Sequence, residues 1–220
     1  MNVLITGESP LYDNLIAQFA AQGHTIITKS FISTSPLSFD PPQIQCEWIF
    51  LSSPRAVESV LKNGIQLDTY KIAVAGKGTK AALPAGLTAK FIARSTAMHE
   101  EALRLAATIG KEKIFIPHST RSNHTFSSVI PESQQVKVLA YTTTPICPQV
   151  FDAPIVIFSS PSNAEGYLLG HQIDNSKRYI AFGETTAAYL KSQGITVFQT
   201  LKEIKETALS DAINSAIACF

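Results

Sequence analysis

Two stretches decide the fold of this chain: Ile49-Phe50-Leu51-Ser52-Ser53-Pro54-Arg55-Ala56-Val57-Glu58 and Ile155-Val156-Ile157-Phe158-Ser159-Ser160-Pro161. Each begins with a short apolar run, which predicts a buried strand, and continues into Ser-Ser-Pro. Serine is favoured at a helix N-cap and proline at the first helical position, so each stretch predicts a strand followed directly by a helix. The two serine pairs lie 107 residues apart (52 to 159).

A second motif repeats with the same spacing. Gly76-Lys77-Gly78-Thr79 corresponds to Gly183-Glu184-Thr185-Thr186, again 107 residues later (76 to 183). Two separate motifs with one spacing indicate two related α/β modules, each with the same pair of hydroxyl-rich loops. This arrangement suggests a ligand held between two facing loop sets.

Short apolar runs alternate with helical patterns along the chain, which is typical of βαβ units and parallel sheets. Strands are predicted at 3–6, 24–28, 48–51, 72–75, 89–93, 113–116, 136–141, 155–158, 179–182 and 196–199. Helices are predicted at 11–22, 54–63, 79–83, 99–109, 163–169, 186–193 and 204–218, and 126–130 is predicted as a poorly defined helical stretch. Segment 31–42 is rich in Ser, Thr and Pro, segment 141–154 is rich in Thr and Pro, and both are predicted to be linkers. The residues themselves leave open whether each domain is continuous or the chain crosses between domains at both linkers.

Composition limits the classes of function. The 220 residues carry 18 basic and 17 acidic side chains, a net charge of +1, which does not favour a general nucleic-acid binder. The three cysteines (Cys46, Cys147 and Cys219) are far apart and odd in number, so a disulfide framework or a zinc site is not expected. The start of the chain lacks the pattern of a signal peptide, and no apolar run approaches ~18 residues. We therefore expect a cytoplasmic protein that does not cross a membrane.

The repeated loops have a structural and a functional explanation. Ser53 and Ser160 can simply cap the helices that follow, or they can join free backbone N–H groups in binding an anion. In the glycine motifs, Gly76 and Gly183 end a strand and are expected to turn the backbone tightly. The threonines near the helix start can cap it or bond a ligand oxygen. All four loops follow the carboxyl ends of predicted parallel strands, where open α/β sheets bind ligands.

Other candidate residues give weaker signals. Residues 76–81 match the G-x-G-x-x-A pattern of dinucleotide sites, but no acidic residue follows at the usual distance and Arg94 is the nearest charged candidate. The five histidines form neither a metal spacing nor an evident triad. His118, His124 and Arg121 share one loop, where they could face a cleft or be solvated surface residues. Tyr141 lies at the start of the second linker and could equally be a packing residue.

The ordered set of motifs resembles the uroporphyrinogen-III synthase family. The segments that carry the resemblance are 49–58, 73–76 with Thr79, Ile116-Pro117, 140–143, 158–162, 181–188 and Gly194. The chain departs from the family pattern in three places. An arginine often stands in the loop that here reads Gly7-Glu8-Ser9-Pro10. The loop after Pro117 lacks the usual Arg-Gly pair, and Glu184 stands where proline is usual.

The resemblance implies two flavodoxin-like, parallel-sheet α/β domains joined by a two-stranded antiparallel linker, with a cleft between them. The first domain would comprise 1–30 and 149–220, the second 38–138, and the linker strands 31–37 and 139–148. It also implies a monomeric lyase of porphyrin and heme biosynthesis that needs no cofactor or metal. Its substrate would be hydroxymethylbilane, a linear tetrapyrrole with four acetates and four propionates, which the family cyclises with loss of water and inversion of ring D.

By analogy with the family's linker tyrosine, Tyr141 is the candidate to assist departure of the hydroxyl. Because a phenol is a weak acid, it would act as a hydrogen-bond donor. The expected substrate-binding residues are Ser52, Ser53, Gly76, Thr79, Arg121, Ser159, Ser160, Gly183, Thr185 and Thr186. Two alternatives remain open at this point: a non-catalytic two-lobed protein that binds small anions, and an NADP-dependent oxidoreductase.

Overall fold

The structure, a computed structural model, describes residues 1–8, 12–95, 97–122, 124–203 and 205–220. The chain divides into two compact units. Unit 1 comprises Met1–Ser33 and Thr144–Phe220, and unit 2 comprises Thr34–Thr143. The chain therefore passes between the units twice. Each unit is built on its own, largely parallel sheet, as the fold-class prediction expected.

Unit 1 contains a five-stranded sheet of order β11-β10-β9-β1-β2, in which every pair is parallel. Its strands are β1 (Asn2–Ile5), β2 (Thr25–Thr28), β9 (Ile155–Phe158), β10 (Arg178–Phe182) and β11 (Val197–Leu201). Its helices are α1 (Asp13–Ala20), α5 (Pro161–Leu168), α6 (Glu184–Ser192) and α7 (Glu206–Ile217).

Unit 2 contains a six-stranded sheet of order β3-β8-β7-β4-β5-β6. Its strands are β3 (Ile32–Pro36), β4 (Trp48–Leu51), β5 (Lys71–Val74), β6 (Ala89–Ile92), β7 (Ile114–Ser119) and β8 (Gln135–Pro145), of which β3 and β8 extend past the unit's limits. Its helices are α2 (Pro54–Lys62), α3 (Lys77–Ala81) and α4 (Met98–Ile109), with 3₁₀ turns at Leu67–Thr69 and Glu132–Gln134.

Both sheets are covered on both faces because successive side chains of a strand point to opposite sides. In β4, Ile49 and Leu51 join the cluster that includes α2, whereas Trp48 and Phe50 join the cluster that includes α4. In β9, the same alternation divides 155–158 between two clusters. This burial on both faces explains why these strands are continuous apolar runs in the sequence.

The sequence repeat has a structural counterpart in the sheet order. From β4 and β9 onward, the bounds of corresponding strands and helices begin 107 or 108 residues apart, as in α2 (54) and α5 (161) or α4 (98) and α7 (206). β4 and β9 occupy the same central position in their sheets. Beside them lie β7 in unit 2 and β1 in unit 1, so these two strands are equivalent in position although one follows β4 in the chain and the other precedes β9.

The chain passes between the units in β3 and β8, which are neighbours in the sheet. The backbone N–H of Leu37 donates to Ala140 at 2.9 Å, and that of Ile146 donates to Phe31 at 2.9 Å. Residue numbers rise along one strand as they fall along the other, so the pair is antiparallel. The remaining strand pairs of this sheet with a described register are parallel.

One predicted element is absent. Residues 126–130, predicted as a poorly defined helical stretch, form turns. Two serine side chains in this segment donate to nearby carbonyl groups, Ser127 Oγ to His124 at 3.0 Å and Ser128 Oγ to Thr125 at 2.9 Å, and such local bonds compete with helix formation. The predicted helices 11–22 and 204–218 begin at residues that lie outside the described part of the chain, as does Ser9-Pro10 of the first loop.

Candidate functional site

The candidate site in unit 2 lies where its parallel strands end. β7, β4 and β5 are neighbours, and the loops that follow them share one edge of the sheet. Strands in a sheet lie about 4.8 Å apart, so these loops are close together. The residues predicted from the sequence in unit 2, other than Tyr141 of the neighbouring β8, all fall on these three loops or on the first helical turn after them.

Ser53 caps α2 and also contacts Tyr141. It has an extended backbone (φ −159°, ψ 164°), and its Oγ accepts the Ala56 N–H at 3.2 Å. The same Oγ forms a 2.9 Å hydrogen bond with the Tyr141 hydroxyl. Tyr141 is only 5% exposed because its ring is packed in the core on the α2 side of the sheet. The phenol is therefore fixed beside the start of the helix.

Ser52 precedes this pair and is half-buried. Within the described residues its hydroxyl has no hydrogen-bond partner. It is consequently the serine of this loop whose hydrogen-bonding capacity is unused by the protein.

The glycine loop of unit 2 differs from its prediction. Gly76 has φ 166° and ψ 179°, an extended conformation open to any residue, so it does not make a tight turn. Thr79 is the third residue of α3 rather than its cap, and it is 5% exposed. Its hydroxyl makes no hydrogen bond to another described residue, and it is not among the fully enclosed unpaired polar atoms. The hydroxyl therefore keeps access to solvent despite the burial of the side chain.

Arg121 belongs to a loop that is organised by hydroxyl groups. The Ser119 N–H donates to Ser122 Oγ at 2.9 Å, and the Arg121 N–H donates to Ser119 Oγ at 3.1 Å. Arg121 itself is exposed. The ring of His118, near the end of β7, meets the ring of His124 edge to face with centroids 5.3 Å apart. The structure therefore places Arg121 in the loop that follows the strand of His118.

The corresponding serine loop of unit 1 is used by the protein itself. Ser160 caps α5 with almost the same backbone as Ser53 (φ −163°, ψ 161°), and its Oγ accepts the Asn163 N–H at 3.2 Å. The Asn163 side-chain amide donates to Ser160 Oγ and to Ser159 Oγ, both at 3.1 Å. Ser159 Oγ in turn donates to the Thr6 carbonyl. Ser159 is thus a structural link between β9 and β1.

The glycine loop of unit 1 does contain the tight turn. Gly183 has φ 83° and ψ 170°, a conformation that is essentially restricted to glycine. Thr185 is exposed, whereas Thr186 is 2% exposed and is the third residue of α6. Like Thr79, Thr186 has no hydrogen-bond partner for its hydroxyl among the described residues and is not fully enclosed.

Asn163 was not predicted from the amino-acid sequence. Its Oδ1 accepts the buried Phe31 N–H at 2.7 Å, so one side chain holds both the serine loop and the start of β3. The signal was present in the repeat, because the residue 107 positions earlier is Ala56. A buried polar residue replacing alanine at an equivalent position indicates a hydrogen-bonding role.

These positions can be compared with known families. A sequence model described as uroporphyrinogen-III synthase HemD matches residues 13–210. The chain belongs to the uroporphyrinogen-III synthase family. This family acts in heme and porphyrin biosynthesis and binds a tetrapyrrole substrate.

Two solved structures of uroporphyrinogen-III synthases have a similar fold. The protein from Helicobacter pylori is 15% identical, with 98% of this chain and 100% of that chain covered and a TM-score of 0.63. A mutant protein from Thermus thermophilus is 12% identical, with 100% of both chains covered and a TM-score of 0.56. At such low identity the likeness concerns the fold. No curated protein sequence matches the chain.

The described residues of this family member contain no group of three or more His, Cys, Asp or Glu side chains arranged to hold a metal ion. None of the helices that the structure describes is long and apolar enough to cross a membrane.

Proposed function

We propose that this protein is a uroporphyrinogen-III synthase, a lyase that cyclises hydroxymethylbilane with loss of water and inversion of ring D. The observation that carries the proposal is the 2.9 Å hydrogen bond between the buried Tyr141 phenol and Ser53 Oγ at the end of β4. Family membership supports the same reaction. The proposal includes a monomeric, cytoplasmic enzyme that needs no metal or cofactor.

In this proposal, Tyr141 assists the first step. Its O–H donates a hydrogen bond to the terminal hydroxyl of the substrate while the C–O bond breaks, and that hydroxyl takes up a proton from solvent and leaves as water. Ser53 Oγ already accepts the Ala56 N–H, so its own O–H can donate to the phenol oxygen and fix the phenol's direction. A positioned hydrogen-bond donor of this kind stabilises the charge that develops on the leaving oxygen.

The remaining steps require the enzyme to hold the bound substrate in a curved conformation with its two ends close together, and they need no further group to donate a hydrogen bond to a leaving group. The cation left by the departing water is attacked by the substituted carbon of ring D, which gives a spiro intermediate. Fragmentation and reclosure then invert ring D, and loss of a proton completes the macrocycle. Holding both ends of one chain in reacting geometry lowers the barrier because it restricts the substrate to conformations close to attack.

The hydroxyl-rich loops would bind the carboxylates of the substrate. A helix N-terminus contributes roughly 0.3–1 kcal/mol toward a nearby anion, and a hydrogen bond to a charged group roughly 1.5–3 kcal/mol. The unused hydroxyls of Ser52, Thr79 and Thr186 support this role most directly. The full set proposed is Ser52, Ser53, Gly76, Thr79, Arg121, Ser159, Ser160, Gly183, Thr185 and Thr186.

The decisive experiment is incubation of the protein with hydroxymethylbilane, followed by oxidation and chromatographic separation of the type I and type III isomers. We expect the type III isomer to predominate. Formation of the type I isomer alone, which arises spontaneously, would refute the proposal.

The same preparation tests the two alternatives. A non-catalytic anion-binding protein would bind the tetrapyrrole without changing the isomer ratio. An NADP-dependent oxidoreductase would show a higher melting temperature with NADP, because a ligand that binds only the folded state stabilises it.

A further inference from the structure

The three loops at the carboxyl edge of unit 2 differ in charge from their counterparts in unit 1. The loops after β4, β5 and β7, with the first helical turns that follow two of them, contain four cationic side chains and no acidic one: Arg55, Lys77, Lys80 and Arg121. The counterparts after β9, β10 and β1 contain Glu8 and Glu184 and no cationic side chain among residues 6–8, 159–163 and 183–187.

The difference is sharpest at one equivalent pair. Lys77 and Glu184 are the first residues of α3 and α6, and they lie 107 residues apart in the repeat. Both are exposed. The repeat has therefore placed opposite charges at the same position of the two sheets.

Among the described residues, the two lysines on these unit 2 loops lack the ion-pair partners that Lys62 and Lys71 have elsewhere in the unit. Lys77 and Lys80 are exposed, and neither forms an ion pair or a hydrogen bond with another residue that the structure describes. In contrast, Glu8 of unit 1 lies 3.6 Å from Lys29. Cationic side chains without acidic partners at one edge of a sheet produce a positive potential. This potential attracts anions over about a Debye length, near 10 Å at 0.1 M salt.

This edge also contains hydroxyls that the protein leaves unused. Ser52 and Thr79 lie on the loops that bear these cations, and each has a hydroxyl without a partner among the described residues. Arg55 is held by its Nε, which donates to Thr34 Oγ1 at 3.1 Å. Long-range attraction and short-range hydrogen bonding therefore coincide on adjacent loops.

We propose that the unit 2 loops after β4, β5 and β7 attract and anchor a polycarboxylate by charge, with Lys77 and Lys80 as the specificity-determining residues. The corresponding unit 1 loops offer neutral hydroxyl and backbone donors, and Glu184 opposes anion binding by unit 1. The inference rests on the proposed function because it identifies the bound carboxylates with those of the tetrapyrrole.

The test is a titration of the intact protein with uroporphyrin, a stable octacarboxylate, in which the fluorescence of uroporphyrin reports binding. A single exposed charge contact is weak and a reversal changes two units of charge, so Lys77→Glu and Lys80→Glu should each weaken binding roughly 3- to 10-fold. Glu184→Lys should strengthen it by a comparable factor. In about 1 M salt, where the Debye length is near 3 Å, these differences should disappear.

Lys111→Glu is the matched control. Lys111 is exposed and precedes β7, so it lies toward the opposite edge of the same sheet, and the variant has the same net charge as Lys77→Glu. Equal weakening by Lys77→Glu and Lys111→Glu would overturn the proposal, because net charge alone would then explain the effect. Failure of the wild-type protein to bind uroporphyrin would also overturn it.

The isomer assay separates this inference from the proposed function. If uroporphyrin binding follows the predicted order while hydroxymethylbilane yields only the type I isomer, the proposed function fails and the polycarboxylate anchor stands. If the type III isomer forms and its KM is the same for wild type, Lys77→Glu and Glu184→Lys, the enzyme function stands and the charge asymmetry has no role.

Discussion

The Ser-Ser-Pro loops of the two units share a backbone and differ in what surrounds it. Ser53 and Ser160 have φ and ψ values within a few degrees, and each Oγ accepts the N–H three residues later at 3.2 Å. Beyond the cap, Ser53 Oγ pairs with the phenol of Tyr141, whereas Ser160 Oγ pairs with the amide of Asn163. The same local structure thus supports candidate chemistry in unit 2 and a structural link in unit 1.

The helices that follow these loops also contact the crossing strands in different ways. In α2, Ser59 Oγ donates to the Ala140 carbonyl of β8. In α5, the equivalent residue is Gly166, and a Cβ there would lie 2.0 Å from the Phe31 oxygen and 2.7 Å from that of Ile146. The contrast shows that unit 1 holds its strands by close backbone approach and unit 2 by a hydrogen bond.

The largest effect should come from Gly166→Ala. The added carbon would overlap two backbone oxygens, so we expect the free energy of unfolding to fall by about 3 kcal/mol. The matched change Ser59→Ala removes one hydrogen bond and should cost about 1 kcal/mol. Denaturant unfolding of both variants measures the difference, and equal losses would contradict the close approach in α5.

Tyr141→Phe tests whether the phenol that contacts Ser53 in unit 2 takes part in the reaction. Loss of the phenolic donor should lower kcat by about 100-fold, equivalent to about 2.7 kcal/mol, and leave residual activity. The ring packing is retained, so thermal unfolding should change little. An unchanged rate would remove Tyr141 from the mechanism.

Asn163→Ala tests whether the contacts of Asn163 stabilise unit 1, because it introduces the alanine that stands at the equivalent position of unit 2. The Phe31 N–H would be left buried without its partner, which should cost about 2 kcal/mol of stability. Denaturant unfolding gives this value directly. If the variant unfolded like wild type, the hydrogen bonds of Asn163 would not hold the loop.

The two glycine loops should respond differently to alanine. Gly183→Ala forces φ 83° on a residue with a Cβ and should cost about 1–2 kcal/mol. Gly76→Ala should be neutral or slightly stabilising, because Gly76 is extended and an added Cβ meets nothing within 4 Å. Thermal unfolding of the pair checks this, and similar shifts for both variants would be inconsistent with the two backbones.

The smallest effect concerns pH and belongs to unit 1 alone, since the residue equivalent to His171 is Gly64. Burial lowers the pKa of His171 below its ordinary value of 6.5, partly opposed by backbone hydrogen bonds. Its Nε2 accepts the Phe151 N–H at 2.8 Å, so Nδ1 carries the proton and donates to the Tyr167 carbonyl at 2.9 Å. The folded state therefore favours the neutral ring.

Because the unfolded chain binds this proton more readily, the stability due to His171 is fully present above pH 6.5 and falls as the pH drops toward the lower folded pKa. The free energy of unfolding should decrease more between pH 7.5 and 5.5 in wild type than in His171→Gln. Parallel pH profiles for the two proteins would show that His171 titrates alike in both states.

Much of the fold could be predicted because the signals are local. The strands 48–51 and 155–158 have the bounds expected from their apolar runs, and both Ser-Pro caps formed. The prediction of a helical stretch at 126–130 was wrong, since side chains form hydrogen bonds with nearby carbonyl groups there in place of the backbone hydrogen bonds of a helix. The tight turn expected at Gly76 was also wrong, because glycine permits a positive φ without requiring it.

The repeat, the capped helix starts and the candidate binding residues could be read from the amino-acid sequence, although Asn163 was not among them. These features depend on interactions within about four residues or on the period of apolar side chains, which a sequence displays directly. How the two copies differ in their contacts became visible in the folded structure alone. The contacts of Ser53 with Tyr141 and of Asn163 with Phe31 join residues 88 and 132 positions apart, and no local pattern specifies such pairs. They arise from packing within each unit, which places one serine beside a phenol and its repeat beside an amide.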